Sequence, residues 1–181
     1  MPSSAFADVT YATAVVEFLP GHGAGPELPD RALGPPDGSY GNYNDCYVGL
    51  GRGYDLAGVW QGSLTLQMGL PFGNGPLTVF EVGHSYGAVD DPYDVWVGPD
   101  LQVEHFVFVG HSTGDKTVFT FWGNGSTGPF NYVRILDKDT SGYYNGADID
   151  AVEATVPEPA TTGLLAIGFA GMVMRRRQVK N

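Results

Sequence analysis

Four carboxylate side chains in this sequence are placed where they could converge on a cation. Asp148 and Asp150 lie two residues apart in "DIDAVEAT", so both side chains point to the same face of a regular β-strand. Glu17 lies near the other end of the chain, and Asp37 lies in the turn-forming segment "PPDG". If the first and last strands are neighbours, these four side chains meet at one place.

Calcium is the ion that suits this set. Ca²⁺ takes six to eight oxygen ligands, and glycine-rich loops can add backbone carbonyls to the carboxylates. Without a cation, crowded carboxylates repel one another, which raises their pKa values. The pattern predicts a Ca²⁺ site at Glu17, Asp37, Asp148 and Asp150.

Two alternatives to this first calcium site stay open. The acids could be solvated, or Asp148 and Asp150 could pair with Arg31, Arg134 or the backbone N–H groups of a turn. The segment "DDPYD" (90–94) is a second candidate for calcium, although it lacks the ordered spacing of an EF-hand.

Tyrosines alternate with amides and carboxylates in "SYGNYNDCYVGLGRGYD", and "YYN" repeats the mixture near residue 144. Flat rings contact the apolar faces of sugars, while amides and carboxylates bind hydroxyl groups. The pattern predicts polysaccharide contacts at Tyr40, Tyr43, Asn44, Tyr47, Tyr143 and Tyr144. Alternatively, the tyrosines anchor a long loop by packing. The three tryptophans, Trp60, Trp96 and Trp122, have β-type flanking residues and are predicted to lie in the core.

The segments "GHSYG" (83–87) and "GHSTG" (110–114) match the G-x-S-x-G pattern of a serine hydrolase. Ser85 could be the nucleophile, with Asp94 and either His105 or His111 downstream. That chemistry needs a strand-to-helix turn on a parallel sheet, and no alternation of strands and helices occurs here. We therefore predict no catalytic residue and no enzymatic activity.

Residues 8–155 have the alternation of apolar and polar side chains that is typical of half-buried strands. In "GSLTLQMG", for example, leucines and a methionine alternate with serine, threonine and glutamine. About eight such runs are separated by turn signals, and none has a sustained helical period. The pattern predicts an all-β domain over residues 8–155, an antiparallel, jelly-roll-like β-sandwich.

The charge of the chain is distributed unevenly. Residues 1–156 carry 19 acidic and 5 basic side chains, whereas residues 157–181 carry 1 and 4. An acidic body of this kind lacks the basic face that nucleic acid requires. It fits a solvated surface, a cation site or a partner rich in hydroxyl groups.

The last residues, 156–181, have a different composition from the body. "VPEP" predicts a stiff, extended linker, because proline disfavours helix in the residue before it. The uncharged run 160–174 follows, and as a transmembrane helix it would span about 22 Å of a hydrocarbon core about 30 Å thick. Bilayer thinning or snorkelling arginines could make up the difference. The basic cluster after it marks the cytoplasmic end.

Three parts of this tail occur in the order of a PEP-CTERM sorting signal, which the tail resembles. They are Pro157-Glu158-Pro159, the apolar run, and Arg175, Arg176 and Arg177. The resemblance implies processing by an exosortase in a Gram-negative bacterium. The protein would be anchored in the inner membrane transiently and would then reach the cell surface or the extracellular matrix. The family is associated with exopolysaccharide and biofilm. Because sorting requires secretion, "AFA" in residues 1–7 is interpreted as the remnant of a signal-peptide end.

The body is similar to the discoidin-like and galactose-binding-like β-sandwich ectodomains of such proteins. "ALGPPDG", "YDVWVG", "YVRILD" and the closing "GADIDAVEA" carry this resemblance. It implies an exported protein whose ectodomain is a non-catalytic binding or structural module. The tyrosine segments add polysaccharide as the expected ligand, and the four carboxylates add Ca²⁺ as the expected cofactor. The alternatives are a purely structural surface protein without a ligand and a hydrolase built on Ser85.

Overall fold

The computed structural model describes residues 8–22, 24–25, 28–37, 47–51, 61–73, 75–82, 91–120, 128–138 and 146–156. Nine strands lie in these ranges: β1 (Val9–Leu19), β2 (Val48–Gly49), β3 (Ser63–Phe72), β4 (Leu77–Glu81), β5 (Tyr93–Gly98), β6 (Val107–Ser112), β7 (Lys116–Phe119), β8 (Phe130–Asp137) and β9 (Asp148–Thr155). Two single-turn 3-10 helices, Pro29–Ala32 and Val103–His105, are the only helical segments of the described part. The predicted all-β class is confirmed.

Every strand pairing in the described residues is antiparallel, and the strands form two layers that share β1. One layer, sheet I, has the order β6-β5-β8-β3-β1. The other layer, sheet II, has the order β1-β9-β4-β7, with β2 also paired to β9. Strand β1 belongs to both because its first residues pair with β9 and its later residues pair with β3. The first and last strands are therefore neighbours.

The core lies between the two layers, and the period-2 pattern decides which side chains enter it. In β3, Leu64 and Leu66 are fully buried and Met68 is 4% exposed, while Gln67 faces solvent. The alternation follows from the packing of one face of each strand against the opposite sheet, where burial of apolar area is favourable. Tyr93 and Phe72 are the largest side chains that are fully buried.

The predicted transmembrane helix, 160–174, lies outside the described residues. Among the residues that are described, no helix is long and apolar enough to cross a membrane. The domain boundaries predicted from the sequence stay a prediction.

The left-handed backbone two residues before β9 depends on glycine. Gly146 has φ +75°, and a Cβ there would collide with the Asp137 carboxylate and lie 2.8 Å from the carbonyl carbon of Gly51. Gly34 has a similar φ of +86°, but no atom lies within 4 Å of the corresponding Cβ position. An alanine at Gly34 would therefore meet backbone strain alone, whereas an alanine at Gly146 would meet both backbone strain and steric overlap.

We predict that Gly146→Ala destabilises the fold much more than Gly34→Ala. Gly34→Ala should cost about 1 kcal/mol, because only the left-handed backbone is strained. Gly146→Ala should cost at least about 3 kcal/mol, because the methyl group must also displace packed atoms. Urea denaturation of both variants measures the difference, and equal losses of stability would contradict this account of Gly146.

Candidate functional site

Strand β9 begins with two buried carboxylates. Asp148 is 5% exposed and Asp150 is 3% exposed, although both point away from the apolar core. Asp148 is opposite Gly49 of β2, and a Cβ at Gly49 would lie 3.1 Å from its Oδ1 atom. The close approach of β2 thus covers Asp148 and removes it from water.

Three further buried acids surround the start of β9. They are Glu81 at the end of β4, Asp91 before β5 and Asp137 at the end of β8. Together with Asp148 and Asp150 they form a group that we call the acid cluster. Few acidic side chains are buried in proteins unless they are paired or bind a metal.

Backbone N–H groups donate hydrogen bonds to part of the cluster. The N–H of Ala147 donates to Asp137 Oδ2 at 2.7 Å, and that of Asp148 donates to Glu81 Oε1 at 3.4 Å. The N–H of Asp37 donates to Asp150 Oδ1 at 3.4 Å. Asp150 thus accepts a hydrogen bond from a backbone N–H group, which is one of the alternatives to calcium binding that the sequence left open.

The pKa values of two cluster members are far above their ordinary range. Burial raises the pKa of Asp148 to about 8, and the nearby carboxylates of Asp91 and Asp137 raise it further. Burial also raises the pKa of Glu81 to about 8, although the hydrogen bond from the Asp148 N–H opposes the shift. Near neutral pH these two acids therefore hold protons unless a cation replaces them.

Asp148 Oδ1 is buried and has no hydrogen-bond partner among the residues that the structure describes. An unsatisfied buried oxygen costs roughly 1–3 kcal/mol, more if it is charged. A bound cation is one group that would satisfy it.

A cleft gives the cluster a route to solvent. Its volume is about 360 Å³, and both Glu81 and Asp150 lie on its wall. The Lys116 ammonium lies 4.9 Å from the centre of the Phe80 ring on the same wall. The remaining lining residues are Pro36, Val82 and Asp115. An ion or small polar molecule can therefore approach the acids from outside.

Of the four acids predicted to bind calcium, Asp148 and Asp150 lie at the start of β9. The backbone N–H of Asp37 contacts Asp150, and the Asp37 side chain is exposed. Glu17 lies instead on the outer side of sheet I, where its carboxylate is 3.9 Å from Arg134. No group of three or more His, Cys, Asp or Glu side chains in the described ranges has the arrangement of a metal site. A cation here would need backbone oxygens as well, which Ca²⁺ accepts.

Sequence reasoning missed Glu81 and Asp137 as members of this site. Each is the polar last residue of an apolar strand, in "LTVFE" and "FNYVRILD". That position is also common for a solvated strand end, so only the three-dimensional arrangement distinguishes them. Asp91 belongs to the predicted second candidate, "DDPYD", whereas Asp94 of the same segment lies away from the core and pairs with His111.

The predicted polysaccharide contacts lie mostly outside the described residues. Those are Tyr40, Tyr43, Asn44, Tyr143 and Tyr144. Tyr47 is described, is 6% exposed and packs with Val82 in a small buried cluster. Trp60 and Trp122 are likewise outside the described ranges. The prediction that Trp96 lies in the core is wrong, because strand β5 places Val95 and Val97 inside and Trp96 on the outer side.

The second G-x-S-x-G segment does not form a nucleophile elbow. Ser112 is the last residue of strand β6, is 8% exposed and shares a short hydrogen bond with Thr117. The adjacent His111 points to the opposite side of the strand, with its Nδ1 2.9 Å from Asp94 Oδ1. His105 pairs with Asp100 in an exposed turn. Ser85 lies outside the described residues.

Comparison with known families assigns the tail. Residues 155–178 match the PEP-CTERM protein-sorting motif, which therefore begins at the last residue of strand β9. The motif indicates a protein that is exported and sorted. No curated protein matches the chain.

Several solved structures resemble the sandwich. The CBM32-1 and CBM32-2 domains of Clostridium perfringens ZmpB match with a TM-score of 0.50 and 10% identity, over 82% of this chain and 37% of that one. The C-terminal domain of a Bacteroides fragilis chitobiase gives 0.49 and 10%, over 78% and 91%. A family 32 carbohydrate-binding module of Streptococcus pneumoniae EndoD gives 0.47 and 12%, over 80% and 95%. At 10% identity, the first match supports the β-sandwich fold and nothing finer.

The raised pKa values predict a pH-dependent stability in the absence of metal. Unfolded carboxyl groups lose their protons near pH 4, whereas Glu81 and Asp148 keep theirs to about pH 8 in the folded state. The folded state therefore binds more protons between these values, and its stability falls as the pH rises. In EDTA, the Tm should drop by at least about 4 °C from pH 5 to pH 8 and then level off.

The matched variant for this measurement is Asp148→Asn, which removes one titrating group and keeps the shape of the side chain. Its Tm should change less with pH than that of the wild type. A wild-type Tm that is constant or rises over this interval would show that the acids are ionised in the folded state.

Proposed function

We propose that this chain is an exported envelope or matrix protein, sorted through its PEP-CTERM signal, whose jelly-roll-like sandwich is a non-catalytic binding module. The observation that supports it most is the sorting motif at residues 155–178, which begins at the last residue of the sandwich. The tail thus connects the final strand directly to the sorting machinery. His105 and His111 pair with Asp100 and Asp94, and Ser112 pairs with Thr117, so these three side chains do not form a triad with one another.

An exosortase is the proposed processing partner. Residues 160–174 would form a transmembrane helix in the inner membrane of a Gram-negative bacterium, oriented by Arg175, Arg176 and Arg177. Cleavage near Pro157-Glu158-Pro159 would then release the sandwich to the cell surface or the matrix, where exopolysaccharide and biofilm form.

The mass of the mature protein tests the sorting proposal. The form recovered from the cell surface or medium of the producing bacterium should lack the residues after the Pro-Glu-Pro segment, as measured by intact mass spectrometry. A variant with Pro157, Glu158 and Pro159 replaced by alanine should keep the full tail and stay with the membrane. A secreted wild type with an intact C-terminus would contradict processing.

Calcium is the cation that we propose for the acid cluster. Asp148 would be the central ligand, because its Oδ1 atom has no partner among the described residues and its carboxyl group carries a strongly raised pKa. Asp150 and Asp37 would contribute oxygens from the start of β9 and the facing turn. The ion would compensate the repulsion between the buried carboxylates. By binding oxygens from both elements, it would also hold β9 against the segment that contains Asp37.

Metal-dependent melting tests this proposal. At a Ca²⁺ concentration about one hundred times the Kd, the ion should stabilise the wild type by about 2.7 kcal/mol relative to EDTA. For a chain of this size that stabilisation raises the Tm by about 5–10 °C.

Two variants serve as comparison in the same melting experiment. Asp148→Asn should lose the response to calcium, because the amide removes the central charge. Asp94→Asn should keep it, because Asp94 lies on the outer side of sheet I, paired with His111. A wild type that melts at the same temperature in Ca²⁺ and EDTA would overturn the calcium proposal.

Polysaccharide is the proposed ligand of the module. The CBM32 domains of ZmpB share the sandwich fold, which supports a carbohydrate ligand by analogy of fold. The tyrosine segments around Tyr43 and Tyr144 remain the predicted contact region. A sandwich that binds no polysaccharide would instead be a structural surface protein whose acidity keeps it soluble.

A further inference from the structure

The strand register shows which parts of the sandwich lie at the end where β9 stops. Val9 of β1 is opposite Thr155, the last residue of β9. In sheet I, the end of β3, the start of β8 and the end of β5 lie at this same end. The turn from β5 to β6, residues 99–106, therefore lies there as well. We call this end, which includes Val9, Thr155 and the turn 99–106, the tail end.

Four large apolar side chains are exposed at the tail end. Val9 is 46% exposed, and Leu70 near the end of β3 is 52% exposed. The Leu70 N–H donates a hydrogen bond to Thr10 Oγ1 at 2.9 Å, so Leu70 lies beside the start of β1. In the β5–β6 turn, Leu101 is 51% exposed and Val103 is 69% exposed. A single exposed leucine needs no explanation, but four such side chains at the end that carries the tail indicate a contact.

Hydrogen bonds hold the β5–β6 turn in a fixed shape. Asp100 Oδ1 accepts the N–H of Gln102 at 2.9 Å, and the Asp100 carboxylate also pairs with His105 Nδ1 at 2.9 Å. The side chain of Asn131 donates to Pro99 O at 2.7 Å, which ties the turn to the start of β8. The two apolar side chains of the turn are therefore held in place before any contact forms, which lowers the entropic cost of that contact.

The connection from the sandwich to the tail is short. The N–H of Val156 donates a hydrogen bond to Asp8 O at 2.8 Å, so residue 156 still belongs to the sandwich. The predicted transmembrane segment, 160–174, begins soon afterwards. The chain from residue 156 to residue 160 spans at most about 14 Å, even when it is fully extended. A segment in the membrane would therefore keep the tail end close to the bilayer surface.

We propose that the tail end docks on the surface of the lipid bilayer that holds the tail, before the tail is processed. Leu101 and Val103 would enter the boundary between headgroups and acyl chains, and Val9 and Leu70 would face it. The inference rests on the proposed membrane anchoring of the tail, and it adds a lipid-binding surface on the sandwich itself. Because the short tether keeps the local concentration of lipid high, a weak apolar contact is sufficient.

The charges at the tail end favour a zwitterionic bilayer over an anionic one. Asp8 and Glu104 are exposed there, whereas Asp100 is paired with His105. No lysine or arginine occurs in the turn or in the strand ends that meet here, residues 8–11, 69–72 and 153–156. The contact would therefore be apolar, since anionic headgroups would repel the exposed carboxylates.

A fluorescent probe on the full-length chain in lipid nanodiscs tests the inference. Cys46, the one cysteine of the sequence, is replaced by serine, and the fluorophore NBD is attached to a new cysteine introduced as Val103→Cys. The discs contain phosphatidylcholine and phosphatidylethanolamine. The probe should emit at shorter wavelength than in water and should be quenched by a nitroxide lipid. Its quenching by aqueous iodide should be at least about threefold weaker than that of a probe in solvent. Leu101→Cys should behave in the same way.

Two controls separate docking from mere proximity. Leu19→Cys places the same probe on a residue that is 45% exposed at the other end of β1, where it should stay open to iodide. Insertion of about twelve glycine and serine residues after Val156 loosens the tether. A docked end keeps its shielded probe after this insertion, whereas an end that is held near the lipid by the tether alone loses it. Melting curves check that every variant is folded.

The outcomes separate this inference from the proposed anchoring. A full-length chain that does not stay with the nanodiscs in size-exclusion chromatography would overturn the anchoring and the docking together. A chain that stays with the discs while the probe at Val103 is as open to iodide as that at Leu19 would overturn the docking alone. Shielding without quenching by the nitroxide lipid would assign the surface to a second copy of the chain. Shielding that appears only after an exosortase is added would assign it to that enzyme. Both of these results would overturn the lipid contact.

Discussion

The burial of negative charge at the start of strand β9 is the constraint on which the rest of the site depends. Asp148 is covered by the close approach of Gly49, while Glu81, Asp91 and Asp137 lie around it. A carboxylate cannot stay ionised in such surroundings without a compensating charge, so either a proton or a cation must be present. The pKa values near 8 describe the first case, and a bound Ca²⁺ would be the second. Folding and the binding of a proton or cation would therefore be linked through the same few oxygens.

The fold could be predicted from the sequence where one physical rule was sufficient. Alternation in "GSLTLQMG" predicts β3, because only one face of a strand can enter the core. The predicted convergence of the acids assumed that the first and last strands are neighbours, and this assumption agrees with the structure, since Thr10 is opposite Ala154. The predicted position of Glu17 beside the other acids was wrong, because β1 changes from sheet II to sheet I along its length and places Glu17 next to Arg134. A switch of this kind leaves no signal in the alternation.

The candidate sites were harder to predict because they depend on contacts between distant strands. Glu81 and Asp148 are 67 residues apart, and only the pairing of β4 with β9 brings them together. Trp96 is a second example. Its β-type neighbours predicted a buried ring, yet the alternation of side chains along strand β5 places Trp96 on the outer side of the sheet. Residue type indicates that a side chain favours burial, whereas register determines which side of the sheet it occupies.

Strand β9 also determines how the module would be presented after sorting. The sorting motif begins at Thr155, the last residue of β9, and the adjacent Val156 N–H donates a hydrogen bond to Asp8 O at 2.8 Å. Asp148 lies seven residues earlier, so about 23 Å of extended strand separates it from the point of attachment. The acid cluster and the tail are thus at opposite ends of the same strand. A sandwich held by its tail would therefore direct the acid cluster and its cleft away from the attachment point.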